Sequence, residues 1–265
     1  LTQKLYRADQ VKHLELEAAA NEGVSKYELM QRAGKAVFEH CRSLVPNSET
    51  YLVLVGVGNN AGDGYITALN AAKAGKTVVL CAVEPAREVS GDVAKAQKAW
   101  LDNGGTVDAF DPSLLDRCDL IIDALLGIGI VGIIRNEFAD VIDAINQSPL
   151  PVISIDIPSG LDADTGESLG RCIQADITIT FIGIKLGLTT GAGKQSCGKL
   201  IYEDLGIGKA FAALARSSAN ALDISHFKGL APRPVHSHKG SYGRLLCVGG
   251  NAGMAGAIRL SAEAA

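Results

Sequence analysis

The chain has 265 residues, 47% of them hydrophobic and 20% charged, which is enough apolar content for one large or two small packed domains and too much for a disordered segment. Its formal net charge of -4 argues against a dedicated nucleic-acid surface, which carries a basic excess. No apolar run reaches membrane-spanning length, no signal-peptide pattern opens the chain, and the six cysteines are widely spaced with no C-x-x-C pair. The expectation is a cytoplasmic protein without disulfides, its natural start lost because Leu1 stands where Met would.

In chain order, residues 8 to 20 and 25 to 43 read as helices, the second opened by the capping box Ser25-Lys-Tyr-Glu28 and carrying Leu29, Ala33, Ala36, Val37, His40 and Cys41 on one face. Strand 51–55, helix 63–74, strand 77–83, helix 91–102, strand 119–123, helix 137–146 and strands 151–155, 176–183 and 199–202 follow. This alternation predicts an α/β protein: a three-layer, Rossmann-like fold with a mostly parallel sheet and helices on both faces. Ligands of such sheets bind beyond the carboxyl ends of the strands, so the loops after 51–55, 119–123 and 151–155 belong together.

The first loop runs from an apolar strand into Gly56-Val-Gly-Asn-Asn-Ala-Gly-Asp-Gly64. Its backbone N–H groups and the following helix dipole suit phosphates. Gly56-x-Gly58-x-x-Ala61 is a relaxed dinucleotide fingerprint, yet Glu84, the nearest candidate for a ribose, lies 28 residues after Gly56 rather than about 20. The blander reading is a tight turn with Asp63 capping the helix.

Asp123 ends the second strand before glycines 127, 129 and 132, and a buried carboxylate there needs backbone N–H groups or a cation, unless it merely caps the turn. The third loop repeats the device with Asp156-Ile-Pro-Ser-Gly-Leu161. Ser159 is outside a G-x-S-x-G elbow and none of the five histidines lies in a strand-end loop, which leaves a serine-hydrolase triad without support. Two carboxylates, an asparagine and a serine from neighbouring strand ends suit an oxygen-lined site for a hard cation beside a general acid/base.

Four motifs, Asn59-Asn-Ala-Gly-Asp-Gly64, Asp123-Ala-Leu-Leu-Gly127, Asp156-Ile-Pro-Ser-Gly-Leu161 and Thr180-Phe-Ile-Gly-Ile-Lys-Leu-Gly187, together resemble the NAD(P)H-hydrate epimerase family in order and approximate spacing over residues 5 to 222. Ala61 departs from the family's usual glycine. The resemblance implies a repair isomerase that interconverts the C6 epimers of hydrated NADH and NADPH. It implies a potassium ion on Asn60, Asp123 and Ser159, and a homodimer built partly from the leading helices. It implies a grip on the dinucleotide by Asn59, Asn60, Ala61, Gly62 and Asp63, and by Gly127, Ile128, Gly129, Ile130, Val131, Gly132 and Ile133. Asp156 is expected to be the acid/base, with Lys185 contacting substrate, pairing with Asp156, or standing as a solvated surface lysine.

Domains are expected at 1–222 and 223–265. The second, with a predicted strand at 244–248 and the glycine loop Gly249-Gly-Asn-Ala-Gly-Met-Ala-Gly256, resembles the start of the ADP-dependent NAD(P)H-hydrate dehydratase domain, cut short before that lyase is complete. His236 and His238 lack a third ligand and carry no assignment. Two other classes stay open: a non-catalytic nucleotide-binding or interaction module, and an NAD-dependent Rossmann oxidoreductase.

Overall fold

The five consecutive apolar residues Tyr51–Val55 are fully buried because both faces of their strand are covered, the usual situation of a strand inside a parallel sheet. The computed structural model describes residues 3–222, 234–238 and 240–265. Its elements are β1 (Gln3–Tyr6), α1 (Ala8–Asn21), α2 (Lys26–Leu44), β2 (Thr50–Val55), α3 (Asn59–Lys73), β3 (Thr77–Ala82), α4 (Gly91–Asp102), β4 (Asp108–Ala109), β5 (Leu120–Ala124), α5 (Asn136–Gln147) and β6 (Val152–Ile155). Then come β7 (Ile177–Phe181), β8 (Ile184–Lys185), α6 (Gly193–Ser196), β9 (Lys199–Glu203), α7 (Gly208–Leu214), β10 (Ala219–Ala221) and α8 (Gly256–Ala264).

Seven strands form one sheet in the order β4-β3-β2-β5-β6-β7-β9, and every neighbouring pair is parallel. Alternate residues of β2 feed different cores. Val53 and Val55 pack in the core of α1 to α4, whereas Leu52 and Leu54 pack in the core of α5 and the residues leading into it. The expected three-layer α/β fold is the one observed.

A smaller sheet, β10-β1-β8, was not foreseen, because strands of two to four residues leave no periodic trace. It has a positional consequence. Parallel pairing sets Tyr6 beside Lys185, so α1, which starts two residues later, is anchored next to that lysine. The N–H of Ala8 donates to Asp164 Oδ1 at 2.7 Å and holds the start of α1 to the loop after β6.

Some sequence expectations shift. In α2 the Ser25 cap accepts from Glu28 N at 3.1 Å, but Glu28 turns to Arg32 at 2.7 Å instead of closing the box. The buried stripe is rotated to include Met30, Gly34 and Phe38, and leaves Ala36 and His40 at the margin. Gly34 is required there: a Cβ would stand 2.6 Å from Ile66 Cβ of α3. The predicted strand 176–183 stops at Phe181, because Ile182 takes a φ of 64° and turns the chain into β8.

The chain divides into two compact units, Leu1–Ala221 and Leu222–Ala265. In the second, the predicted strand 244–248 is not formed; those residues have no regular structure, and no described strand of the unit neighbours them to take up their N–H and C=O groups. His236 and His238 lie in a turn region of that unit. Of the six free cysteines five are buried, and Cys247 is half-buried. Among the described residues no helix is long and apolar enough to cross a membrane.

Candidate active site

The strand order reverses between β2 and β5: β3 and β4 lie to one side, β6, β7 and β9 to the other. The chain leaves β2 for α3 on one face and leaves β5 for α5 on the other, which opens a crevice at their carboxyl ends. Gly56 lets the two exits approach: a Cβ there would fall 2.0 Å from Leu125 O.

α3 begins at Asn59, four residues before the expected start, with Gly58 as its extended N-cap. The polar residues Asn59, Asn60 and Asp63 are therefore the helix's first turns and not a loop, and their polarity concealed the apolar period. No side chain caps this end, so its first N–H groups and the dipole face the crevice.

Asp123 is 0% exposed. Its Oδ2 accepts from Ser154 Oγ at 2.8 Å and Ser159 N at 2.9 Å, and its Oδ1 from Ser159 Oγ at 2.5 Å and Leu125 N at 3.3 Å. Burial pushes its carboxyl up, and the bonds from Ser159, Ser154 and Leu125 oppose the rise. Beside it, Asn60 Nδ2 donates to Leu126 O at 3.1 Å, while Asn60 Oδ1 is buried with no partner.

Asp156 follows β6 at a φ of 65°, a left-handed conformation that Asp tolerates better than most residues. Its Oδ1 accepts from Lys185 Nζ, from Thr180 Oγ1 at 3.2 Å and from Phe181 N at 3.2 Å. Lys185 is 1% exposed and also donates to Thr180 Oγ1 at 3.1 Å and Phe181 O at 3.2 Å. The surface-lysine reading is thus overturned. The turn at Ile182 that ends β7 is what swings Lys185 back onto Asp156, and nothing in the local sequence announces it.

A cavity of about 650 Å³ joins these groups. Of the expected dinucleotide-binding residues, Asn59, Asn60, Asp63, Gly127, Ile128, Gly129, Ile130, Val131 and Ile133 line it, as do Asp156 and Lys185. Ala61 and Gly62 do not: Ala61 is core, and Gly62 packs against Met30. Gly132 bends the chain at a φ of 78° without lining the cavity, and Asp123 and Ser159 sit beneath the surface. Val131 and Ile133 are 95% and 83% exposed, leaving apolar surface at the mouth for a ligand.

Asp63 is not a cap. Burial, reinforced by the charges of Asp156 and Glu15, holds its carboxyl well above the usual range, and the Lys185 charge opposes the rise. Sequence reasoning missed Glu15 and four basic residues on the same cavity, Lys12, Lys26, Arg87 and Arg135. Arg87 and Arg135 are both paired with Glu84, which lies just past the end of β3. Hydrogen bonds from Arg135 and then Arg87 pull the Glu84 carboxyl down to about 2. Glu15 was visible as an acid on the α1 stripe that includes Val11, Ala18 and Ala19.

Residues 26–187 match the family model described as YjeF-related protein N-terminus, and the chain belongs to this family. It is 44% identical to the bifunctional NAD(P)H-hydrate repair enzyme Nnr of Escherichia coli strain K12 over 265 residues, covering 98% of this chain and 51% of that protein. It is 42% identical to the bifunctional NAD(P)H-hydrate repair enzyme of Leishmania major over 93% of this chain and 46% of that one. The chain therefore spans about half the length of the curated relatives it matches. The crystal structure of yeast ynu0, YNL200c, superposes with a TM-score of 0.63 at 19% identity, covering 75% of this chain and 87% of that one, which shows a shared fold.

Proposed function

We propose that the first unit epimerises hydrated NADH and NADPH at C6 of the nicotinamide ring. The observation that carries the reading is the Asp156–Lys185 pair on the wall of a dinucleotide-sized cavity, next to an uncapped helix N-terminus. The hydroxyl at C6 leaves with help from the ring-nitrogen lone pair once a proton reaches it, giving a planar iminium-like ion to which water returns. Asp156 transfers a proton in that exchange, and Lys185 holds its carboxylate in place. The uncapped end of α3 takes the diphosphate, and the Gly127–Ile133 segment covers the dinucleotide.

The residues around Asp123 fit a potassium ion. Asn60 Oδ1 is a buried acceptor without a donor, as a cation ligand would be. Asp123 supplies negative charge but already accepts four hydrogen bonds. Ser159 Oγ has Leu126 O at 3.3 Å as a second acceptor, and turning to it opens Asp123 Oδ1 to the ion. Potassium there would add positive charge near the diphosphate. The reading extends to a homodimer, and to an ADP-dependent dehydratase activity in the longer relatives' remaining half.

The test supplies the purified protein with the pure R epimer of hydrated NADH, with and without potassium, and follows both epimers by chromatography. The expected result is rapid approach to the epimer mixture, lost in Asp156→Asn. A folded protein that gives no acceleration over buffer refutes the reading.

A further inference from the structure

The cavity holds more carboxyl groups than one acid/base requires. Glu15 stands two turns into α1 on its buried face, where an apolar residue would ordinarily pack. Its place is set by the small sheet: Tyr6 pairs with Lys185, Ala8 N is tied to Asp164, and α1 then runs along the cavity wall. Among the described residues its carboxyl has no hydrogen bond or ion pair, although Lys12, Lys26, Asp63, Asp156 and Lys185 line the same space. A half-buried carboxyl without a partner is costly to retain unless a ligand engages it.

Asp156 cannot supply both proton transfers alone. It is fixed by Lys185, Thr180 and the Phe181 N–H on the rigid end of β6, whereas epimerisation removes a hydroxyl from one face of a ring and returns water to the other. A carboxyl held at one face is out of reach of an oxygen at the opposite face unless the whole ring turns over inside the cavity.

We propose that Glu15 is a second catalytic residue, transferring protons at the face of the nicotinamide ring opposite to Asp156; the inference rests on the epimerase reading above. In one direction Glu15 gives its proton to the C6 hydroxyl. The C6–O bond breaks, its electron pair leaves with the oxygen as water, and the ring-nitrogen lone pair forms the N=C bond. A second water then adds to C6 from the Asp156 side, the N=C pair returns to nitrogen, and Asp156 takes the surplus proton. The net change is one proton moved from Glu15 to Asp156, which exchange with solvent reverses, and the other direction runs the same steps backwards.

This arrangement suits the environment of Glu15. Burial lifts its carboxyl from 4.5 to about 7, with Asp156 adding to the rise and Lys185, Lys26 and Lys12 opposing it. Both protonation states are then populated near neutrality, as a group that must act as acid in one direction and base in the other requires.

The distinguishing experiment follows oxygen exchange together with epimerisation, using each pure epimer in water enriched in oxygen-18. Glu15→Gln should lose at least a hundredfold in epimerisation yet still exchange the hydroxyl of one epimer, because Asp156 can expel and return water at its own face. Asp156→Asn should retain exchange only in the other epimer. Glu15→Asp, with its carboxyl one carbon further back, should keep a measurable fraction of epimerisation. Wild-type epimerisation by Glu15→Gln overturns the inference alone, as does loss of exchange in both epimers by a folded Glu15→Gln, which would mean a structural role. Absence of epimerisation by the wild type overturns the proposed function and this inference with it.

Discussion

Replacing Glu15 by glutamine should stabilise the protein at neutral pH while disabling it. Glutamine is nearly isosteric with a protonated glutamate, so the two proteins should be equally stable at pH 4. Burial raises the Glu15 carboxyl from 4.5 unfolded to about 7 folded, so the native state binds this proton more tightly than the unfolded chain does. The wild type therefore has the full benefit below pH 4.5 and loses it as the pH rises to 7, where the loss levels off. Each unit is worth about 1.4 kcal/mol, so the variant should exceed the wild type by about 3 kcal/mol at pH 8. For a chain of this size that corresponds to about 6–12 °C in melting temperature. Urea unfolding of both proteins at half-unit steps from pH 4 to 8.5 reads the difference directly, and the contributions of other titrating groups largely cancel in it. A difference that stays flat across this range, or that falls with pH, refutes the placement of an unpartnered carboxyl on the buried face of α1.

Lys185→Met should destabilise the fold by about 3 kcal/mol and abolish epimerisation, because it strands the Asp156 carboxylate beside Glu15 and Asp63; the lower end of the range for a broken buried pair applies because Asp156 is 16% exposed and keeps the Thr180 and Phe181 donors. Urea unfolding at pH 7 checks this, and an unchanged midpoint would contradict the buried pair. Gly56→Ala should cost about 3 kcal/mol, since the added methyl falls 2.0 Å from a backbone oxygen that can retreat only by opening the crevice between β2 and β5. A melting temperature within 2 °C of wild type, to order of magnitude the shift of under 1 kcal/mol, would show that the two strand exits are not in contact.

The sequence by itself determined the parallel sheet and pointed to the strand ends where the candidate site lies. Apolar runs such as Tyr51–Val55 are buried on both faces, and a carboxylate at the end of such a run, as with Asp123 and Asp156, has to find partners, so their importance is legible without coordinates. The motifs around Asn59, Asp123, Asp156 and Lys185 also carried the family resemblance. What they could not reveal was which of these side chains meet. Ala61 and Gly62 belong to the motif yet face the core, because the helix starts early and its period turns them inward. Lys185 reads equally as a partner of Asp156 and as a surface residue until Ile182 bends the chain onto Asp156. Glu15 stands on the apolar stripe of α1, but its neighbours in the cavity are hidden, for they arrive through a two-residue strand pairing that leaves no local pattern. Periodicity records how each element faces the core, and only tertiary packing decides which distant charges share one cavity.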